Sequence, residues 1–212
     1  MNPSTTELTI TYINEHPHVK RCLQKGIINY SSLARMIAKD LGIEKKTSNE
    51  AILIAARRFQ EKLKKELNNE QKIRTLFAHS EMSIQNKMGV FILEKNSNLD
   101  VLDGLQKKIS QEGGISFVLE GSDNYTIIIQ EKYNSLIKTK LDHKIIKFHR
   151  QCALINFKSP KEIEEITGVL AYLTSLFAEN GVNIIEFLSC WRDTLFIVDS
   201  KDVQKALTFL NF

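Results

Sequence analysis

The stretch Thr167-Gly-Val-Leu-Ala-Tyr-Leu-Thr-Ser-Leu-Phe-Ala-Glu-Asn-Gly-Val-Asn-Ile-Ile-Glu-Phe187 decides the reading of this chain. Val169, Leu173, Leu176 and Phe177 recur at the spacing of a helix that buries one face, which predicts a helix over 168–179. Asn180-Gly181 supplies a left-handed stop. Runs 184–190 and 195–198 then read as strands, and 203–210 reads as a short helix. Just upstream, 152–157 is a further apolar strand pattern.

The same order occurs once before. Residues 90–93, 115–119 and 125–129 read as strands, and the first two flank a helical pattern of Leu99, Leu102, Leu105 and Ile109 that ends in Gly113-Gly114. Ser122-Asp123-Asn124 provides turn chemistry, and a helix from Tyr133 to about Leu141 precedes a strand over 144–148. That is a βαββαβ unit. Gly113 lies 68 positions before Gly181 and Ile115 lies 69 before Ile184, so the pattern is a tandem internal repeat. The second copy runs out at Phe212 before its last strand, for which 73–79 is the candidate.

Residues 1–70 read as helical throughout. Ser4-Thr-Thr-Glu7 is a capping box ahead of Leu8, Tyr12 and Ile13, although Leu8, Ile10 and Tyr12 also alternate as in a strand. His16-Pro17 breaks this element and Gly26 stops the next. Leu33, Ala34, Ile37, Ala38 and Leu41 share one helical face, closed by Gly42. Thr47-Ser-Asn-Glu50 reads as a second capping box opening the longest helix, with Ile52, Ala55, Ala56, Phe59 and Leu63 inward and Arg57, Lys64 and Lys65 on the other face.

The stretch 167–187, together with Thr194-Leu-Phe-Ile-Val-Asp199 and the helix after it, resembles an ACT domain. The pairing of two copies resembles the regulatory half of aspartate kinases, closely over 151–212 and more loosely over 80–149. The resemblance implies two ferredoxin-like ACT repeats (73–149 and 150–212), which with the all-helical domain read over 1–70 make an α+β fold. It further implies amino-acid binding, usually where two such units meet. The ligand-binding residues it points to are Thr167, Gly168 and Val169 at the helix start, and Asn183 and Ile184 at the next strand. A helix N-terminus with free amide donors suits a carboxylate. Thr167 departs from the proline that often precedes the family's glycine, and the first copy's loop, 94–98, holds no glycine at all. Glu162, Glu164 and Glu165 in the ligand loop read either as a partner for an amino group or as a solvated face. Cys190-Trp191 at a strand end reads as packing.

Charge singles out the helical part. Residues 1–72 hold 13 Lys+Arg against 8 Asp+Glu, and the remaining residues hold 16 against 17. Such asymmetry points to nucleic acid, to a membrane surface or to a solvated basic surface. The spacing from Leu33 to Ile43 is that of a helix-turn-helix, with Lys45, Lys46, Thr47, Ser48 and Asn49 at the start of its second helix and Arg57 and Arg58 facing phosphates. A small helical bundle that docks or dimerises fits the same residues.

Hydrophobic residues are 42% and charged residues 25% of the 212, as in ordinary globular proteins. The longest apolar run is 51–56, too short to span a membrane, and no secretion signal is evident, so a cytoplasmic protein is expected. The three cysteines, Cys22, Cys152 and Cys190, read as free thiols. No phosphate-binding glycine loop, nucleophile elbow or metal-ligand spacing is present, so no catalytic residue, metal or cofactor is expected. The resulting expectation is a stand-alone, homodimeric, non-enzymatic regulator that binds an amino acid or a similar small ligand and signals to a helical domain that contacts either DNA or a protein. The alternative is an interaction protein whose repeats serve only dimerisation.

Overall fold

The computed structural model describes residues 3–64, 68–96 and 99–212, apart from the side chains of Asn68, Asn69 and Leu99. Lys65, Ser97, Asn98 and the side chain of Leu99, all used in the sequence reading, lie outside the described residues. The chain divides into two compact units, Met1–Lys72 and Ile73–Phe212.

The first unit contains α1 (Thr5–Glu15), α2 (Pro17–Lys25), α3 (Tyr30–Asp40) and α4 (Asn49–Leu63). The capping box settles the ambiguity at the N-terminus: the Ser4 hydroxyl accepts from the Glu7 N–H and the Glu7 carboxylate accepts from the Ser4 N–H. Gly26 closes α2 at φ 71°, a left-handed conformation that costs glycine little. The start of α4 differs from expectation by one residue. Ser48, not Thr47, is the cap and accepts from the Ala51 N–H at 3.2 Å. Thr47 is held back in the preceding turn, where its N–H donates to the Ile43 carbonyl at 3.0 Å. Tyr12, Ile13, Leu23, Leu33, Ile37, Ile52 and Leu63 form the core. Gln60 is buried among them at no polar cost, since its amide donates to the Leu23 carbonyl and accepts from the Tyr30 hydroxyl.

α5 (Asn68–Ala78) crosses the division, and Ile73, Leu76 and Phe77 belong to the core of the second unit. The strand anticipated at 73–79 is therefore the end of a helix. The second unit continues with β1 (Glu81–Glu94), α6 (Leu99–Gln111), β2 (Ser116–Glu120), β3 (Asn124–Gln130), α7 (Asn134–Leu141), β4 (Ile145–Lys158), α8 (Val169–Glu179), β5 (Ile184–Cys190), β6 (Asp193–Asp199) and α9 (Val203–Phe209). All six strands form one antiparallel sheet in the order β2-β3-β1-β4-β6-β5.

β1 and β4, each 14 residues, are the shared spine. Residues 88–94 of β1 pair with β3, while residues 81–85 pair with the end of β4. The C-terminal half of β4 pairs with β6 over 152–158. Each long strand thus serves as the first strand of one repeat and the last strand of the other. The strand missing from the second copy is the first half of β1, and the expected boundary at 149/150 falls inside β4. Midway along, Lys87 (φ 59°) and Gln151 (φ 53°) adopt left-handed backbone at a shift in register. That shift reverses which side chains face which way. Ile84 joins the core under α8, whereas Met88 and Val90 join a different one.

Three cores result. Phe91, Leu93, Ile127 and Ile129 pack under α6 and α7, and Ala153, Ile155, Phe157, Phe196 and Val198 pack under α5, α8 and α9. The third contains Met88, Val90, Ile128, Cys152, Leu154, Leu195 and Ile197, drawn from both halves of the sheet with no helical residue among them. The helix-free faces therefore pack on each other, as in a sandwich.

Candidate functional site

The two repeats differ most in the connection before their first helix. Four residues, 95–98, separate β1 from α6, while ten, 159–168, separate β4 from α8. The longer connection contains a 3-10 turn over Lys161–Glu165 and ends at Gly168, which caps α8 at φ 86°. The cap residue, Gly168, has no side chain to cap this helix, and the first turn carries no acidic residue. The first-turn N–H groups and the positive end of the helix dipole are thus presented without a competing carboxylate in that turn. An ideal Cβ built on Gly168 meets nothing within 4 Å, so the backbone here borders open space.

Beside this helix start lies a cleft of about 360 Å³, within the size range of small-ligand sites. Ile163, Glu164, Ile166, Gly168, Val169 and Leu170 form one wall; Phe187, Ser189, Trp191 and Thr194, from β5, β6 and the turn between them, form the other. The turn is anchored from behind. Ser159, fully buried, donates its N–H to the Arg192 carbonyl at 2.8 Å, and Arg192 Nε donates to the Ser159 carbonyl at 2.6 Å. The Ser80 hydroxyl donates to Ser159 Oγ at 2.9 Å, tying the end of α5 to the same point.

Gly168 and Val169 thus come into the cleft, with exposed Thr167 preceding them. Asn183 and Ile184 do not join them: they follow the C-terminal end of α8, a helix of 11 residues and so roughly 16 Å long. Sequence reasoning missed Phe187, Ser189 and Thr194. Trp191, expected to be packed, is 64% exposed at the cleft rim. It takes φ 48° in a two-residue turn, where glycine or asparagine is usual, and a tryptophan standing between two strand patterns was the signal in the sequence.

In the helical unit, Lys45, Lys46, Ser48, Asn49, Arg57 and Arg58 are exposed and Thr47 is half-buried. Ser48 Oγ is engaged in the α4 cap, and the Arg57 guanidinium lies 5.2 Å from the centre of the Tyr30 ring. The connection from α3 to α4 takes eight residues, 41–48, against three or four in a helix-turn-helix. Among the described residues no group of three or more His, Cys, Asp or Glu is placed to hold a metal, and no helix is long and apolar enough to cross a membrane.

No curated protein matches the chain by sequence. Solved structures of similar fold include the aspartate kinase of Clostridium acetobutylicum, 17% identical at a TM-score of 0.49 over 61% of this chain. The match spans 33% of that enzyme, so most of its length has no counterpart in the match. A putative C-terminal regulatory domain of aspartate kinase from Porphyromonas gingivalis is 14% identical at 0.47, covering 62% of this chain and 94% of its own. The regulatory subunit of aspartate kinase from Thermus thermophilus is 10% identical at 0.48, covering 61% and 92%. At such identities and scores these likenesses say nothing about ligand or activity. The family model of the ACT domain matches residues 147–211. The chain is an α+β protein in which N-terminal helices precede ACT-like repeats, the second of them carrying the ACT-domain match.

Proposed function

We propose that this chain is a non-enzymatic regulator whose second ACT-like repeat binds a small carboxylate-bearing metabolite, an amino acid above all, at the start of α8. One observation carries the reading: a helix whose cap residue is Gly168 opens its N-terminus onto a cleft of about 360 Å³. The ACT match over the same residues adds the amino-acid class. A thermal-shift screen of the full chain against the twenty amino acids tests it. Ligand at a hundred times its dissociation constant adds about 2.7 kcal/mol to stability. Gly168→Leu fills the open space and removes that shift; an unchanged shift in the variant overturns the site. No shift with any amino acid leaves the repeats as an interaction scaffold.

The output side rests on separate observations. β2 and β5 are the edges of the sheet, and pairing of such an edge with a second copy would make a homodimer, read directly from the solution mass. Exposed Lys45, Lys46, Arg57 and Arg58 support DNA phosphate contacts by the helical unit. DNA retention that weakens steeply with salt supports this output, and retention indifferent to salt rules it out.

A further inference from the structure

The long strands leave a second pair of open edges, within the spine of the sheet rather than at β2 and β5. β6 pairs with β4 only over 152–158, and β3 pairs with β1 only over 88–94. Among the described residues, 145–149 of β4 and 81–85 of β1 therefore have a strand neighbour on one side alone. Ile146, Lys147 and Arg150 are exposed, Ile146 at 60%. Such an edge presents backbone N–H and C=O groups to which another strand can add.

The two edges are dressed differently. Residues 132–150 hold six Lys+Arg against Asp142 alone, whereas the rest of 73–212 holds 10 against 16. Folding gathers part of this block at β4. Lys147 and Arg150 stand on the strand, and Lys138 reaches it from α7, its Nζ 5.2 Å from the centre of the Phe148 ring. No carboxylate pairs with these three among the described residues, whereas Lys144 is held by Glu94 at 3.4 Å. The 81–85 edge carries one charge, Glu81. Lysines on a strand edge can serve merely to discourage neutral strands from pairing. That purpose alone would call for them on both edges, and they are on one.

Phe148 separates the partners that negative charge would admit. Phe91 stacks on its ring at 4.0 Å, and the Arg150 guanidinium lies 5.3 Å from its centre, opposite a partner role for the ring. A nucleobase thus finds no bare face of Phe148 on which to stack. An extended acidic peptide uses what is present: backbone hydrogen bonds along the edge, Ile146 for an apolar side chain, and cations for its carboxylates. We propose that the β4 edge over 145–150 docks an extended acidic segment of a partner protein as an added strand, with Lys138, Lys147 and Arg150 meeting its carboxylates. This surface is independent of the cleft at α8.

The test is fluorescence anisotropy of the full chain with a labelled peptide of about eight residues that alternates glutamate and valine. This peptide binds, and the same peptide with lysine for glutamate does not. Of two acidic peptides methylated on alternate backbone nitrogens, one for each side of the strand, one loses binding and the other keeps it. Lys147→Glu with Arg150→Glu weakens binding by about tenfold or more. Lys107→Glu with Lys108→Glu, an equal charge change at exposed positions of α6, alters it by less than about threefold. An unchanged thermal midpoint shows that the β4 substitutions leave the fold intact; Lys147→Gln with Arg150→Gln takes their place if the midpoint falls. No binding of the acidic peptide overturns the proposal, and undiminished binding of both methylated peptides overturns the strand addition. Binding of oligothymidylate that needs Lys147 and Arg150, with none of the peptide, assigns the surface to nucleic acid instead.

Discussion

Lys87 and Gln151, 64 positions apart, carry the same left-handed kink at equivalent points of β1 and β4. The buried and exposed positions along the two strands repeat almost residue for residue around them. At this pair each spine strand passes from one repeat to the other, so the kink is part of how two repeats share one sheet.

Substitution at the kinks checks this. Lys87→Gly changes stability by no more than a few tenths of a kcal/mol, because relief of the left-handed backbone offsets the added freedom of the unfolded chain. Lys87→Val costs about 1–2 kcal/mol, since a β-branched side chain is penalised there. The same contrast is expected at Gln151. Urea denaturation with an unchanged m-value measures both, and equal stability of the Gly and Val variants would contradict the account.

The packing of the helix-free faces predicts a core-like penalty on the side of the sheet away from the helices. Ile128 is fully buried there, so Ile128→Ala costs about 2–5 kcal/mol. Ile146, 60% exposed on β4, serves as the control, and Ile146→Ala stays within about 0.5 kcal/mol. A small loss at Ile128 would mean that the face is open to water.

Tyr12 joins α1 to α3 by donating its hydroxyl to Asp40 Oδ2 at 2.5 Å. Burial, then the bond to Asp40, pushes its pKa up to about 12 from 10. The folded state holds the proton more tightly, so this stabilisation is complete below pH 10 and is lost as pH rises toward 12. Tyr12→Phe costs about 1–2 kcal/mol at neutral pH and flattens the alkaline limb of the stability profile. An unchanged alkaline limb in the variant would assign that limb to other groups.

Glu186 on β5 is half-buried, and burial raises its carboxyl pKa above the usual range. A proton bound more tightly in the folded state means that stability falls as pH rises from the ordinary carboxylate range through the raised value. Glu186→Gln therefore raises the unfolding midpoint at neutral pH, and the gain fades on acidification. A gain that persists at low pH would point to packing rather than ionisation.

The local elements were legible because their determinants are local. The Ser4–Glu7 box, the stops at Gly26 and Gly181, and the periodicity of Val169, Leu173 and Phe177 all act within a few residues. The first half of β1 escaped because Glu81, Ser83 and Gln85 interrupt its apolar pattern, and Met82 and Ile84 alone do not mark a strand. Gly168 and Val169 were legible from their position at a helix start. Phe187, Ser189 and Thr194 were not, since the floor of the cleft is made by which strands lie under that helix.

The helical N-terminal part, the doubled strand–helix order and the glycine at the start of α8 are all readable from local sequence. Each follows from hydrogen bonding, capping and periodicity over one or two turns of chain. Three further features arise only on folding: residues 81–85 complete the second repeat, the helix-free faces pack together, and Trp191 and Thr194 face Gly168 across a cleft. These depend on pairings between residues some 25 to 75 positions apart. Apolar strands of similar composition can satisfy such pairings in more than one register, and mutual burial across the whole sheet selects among them.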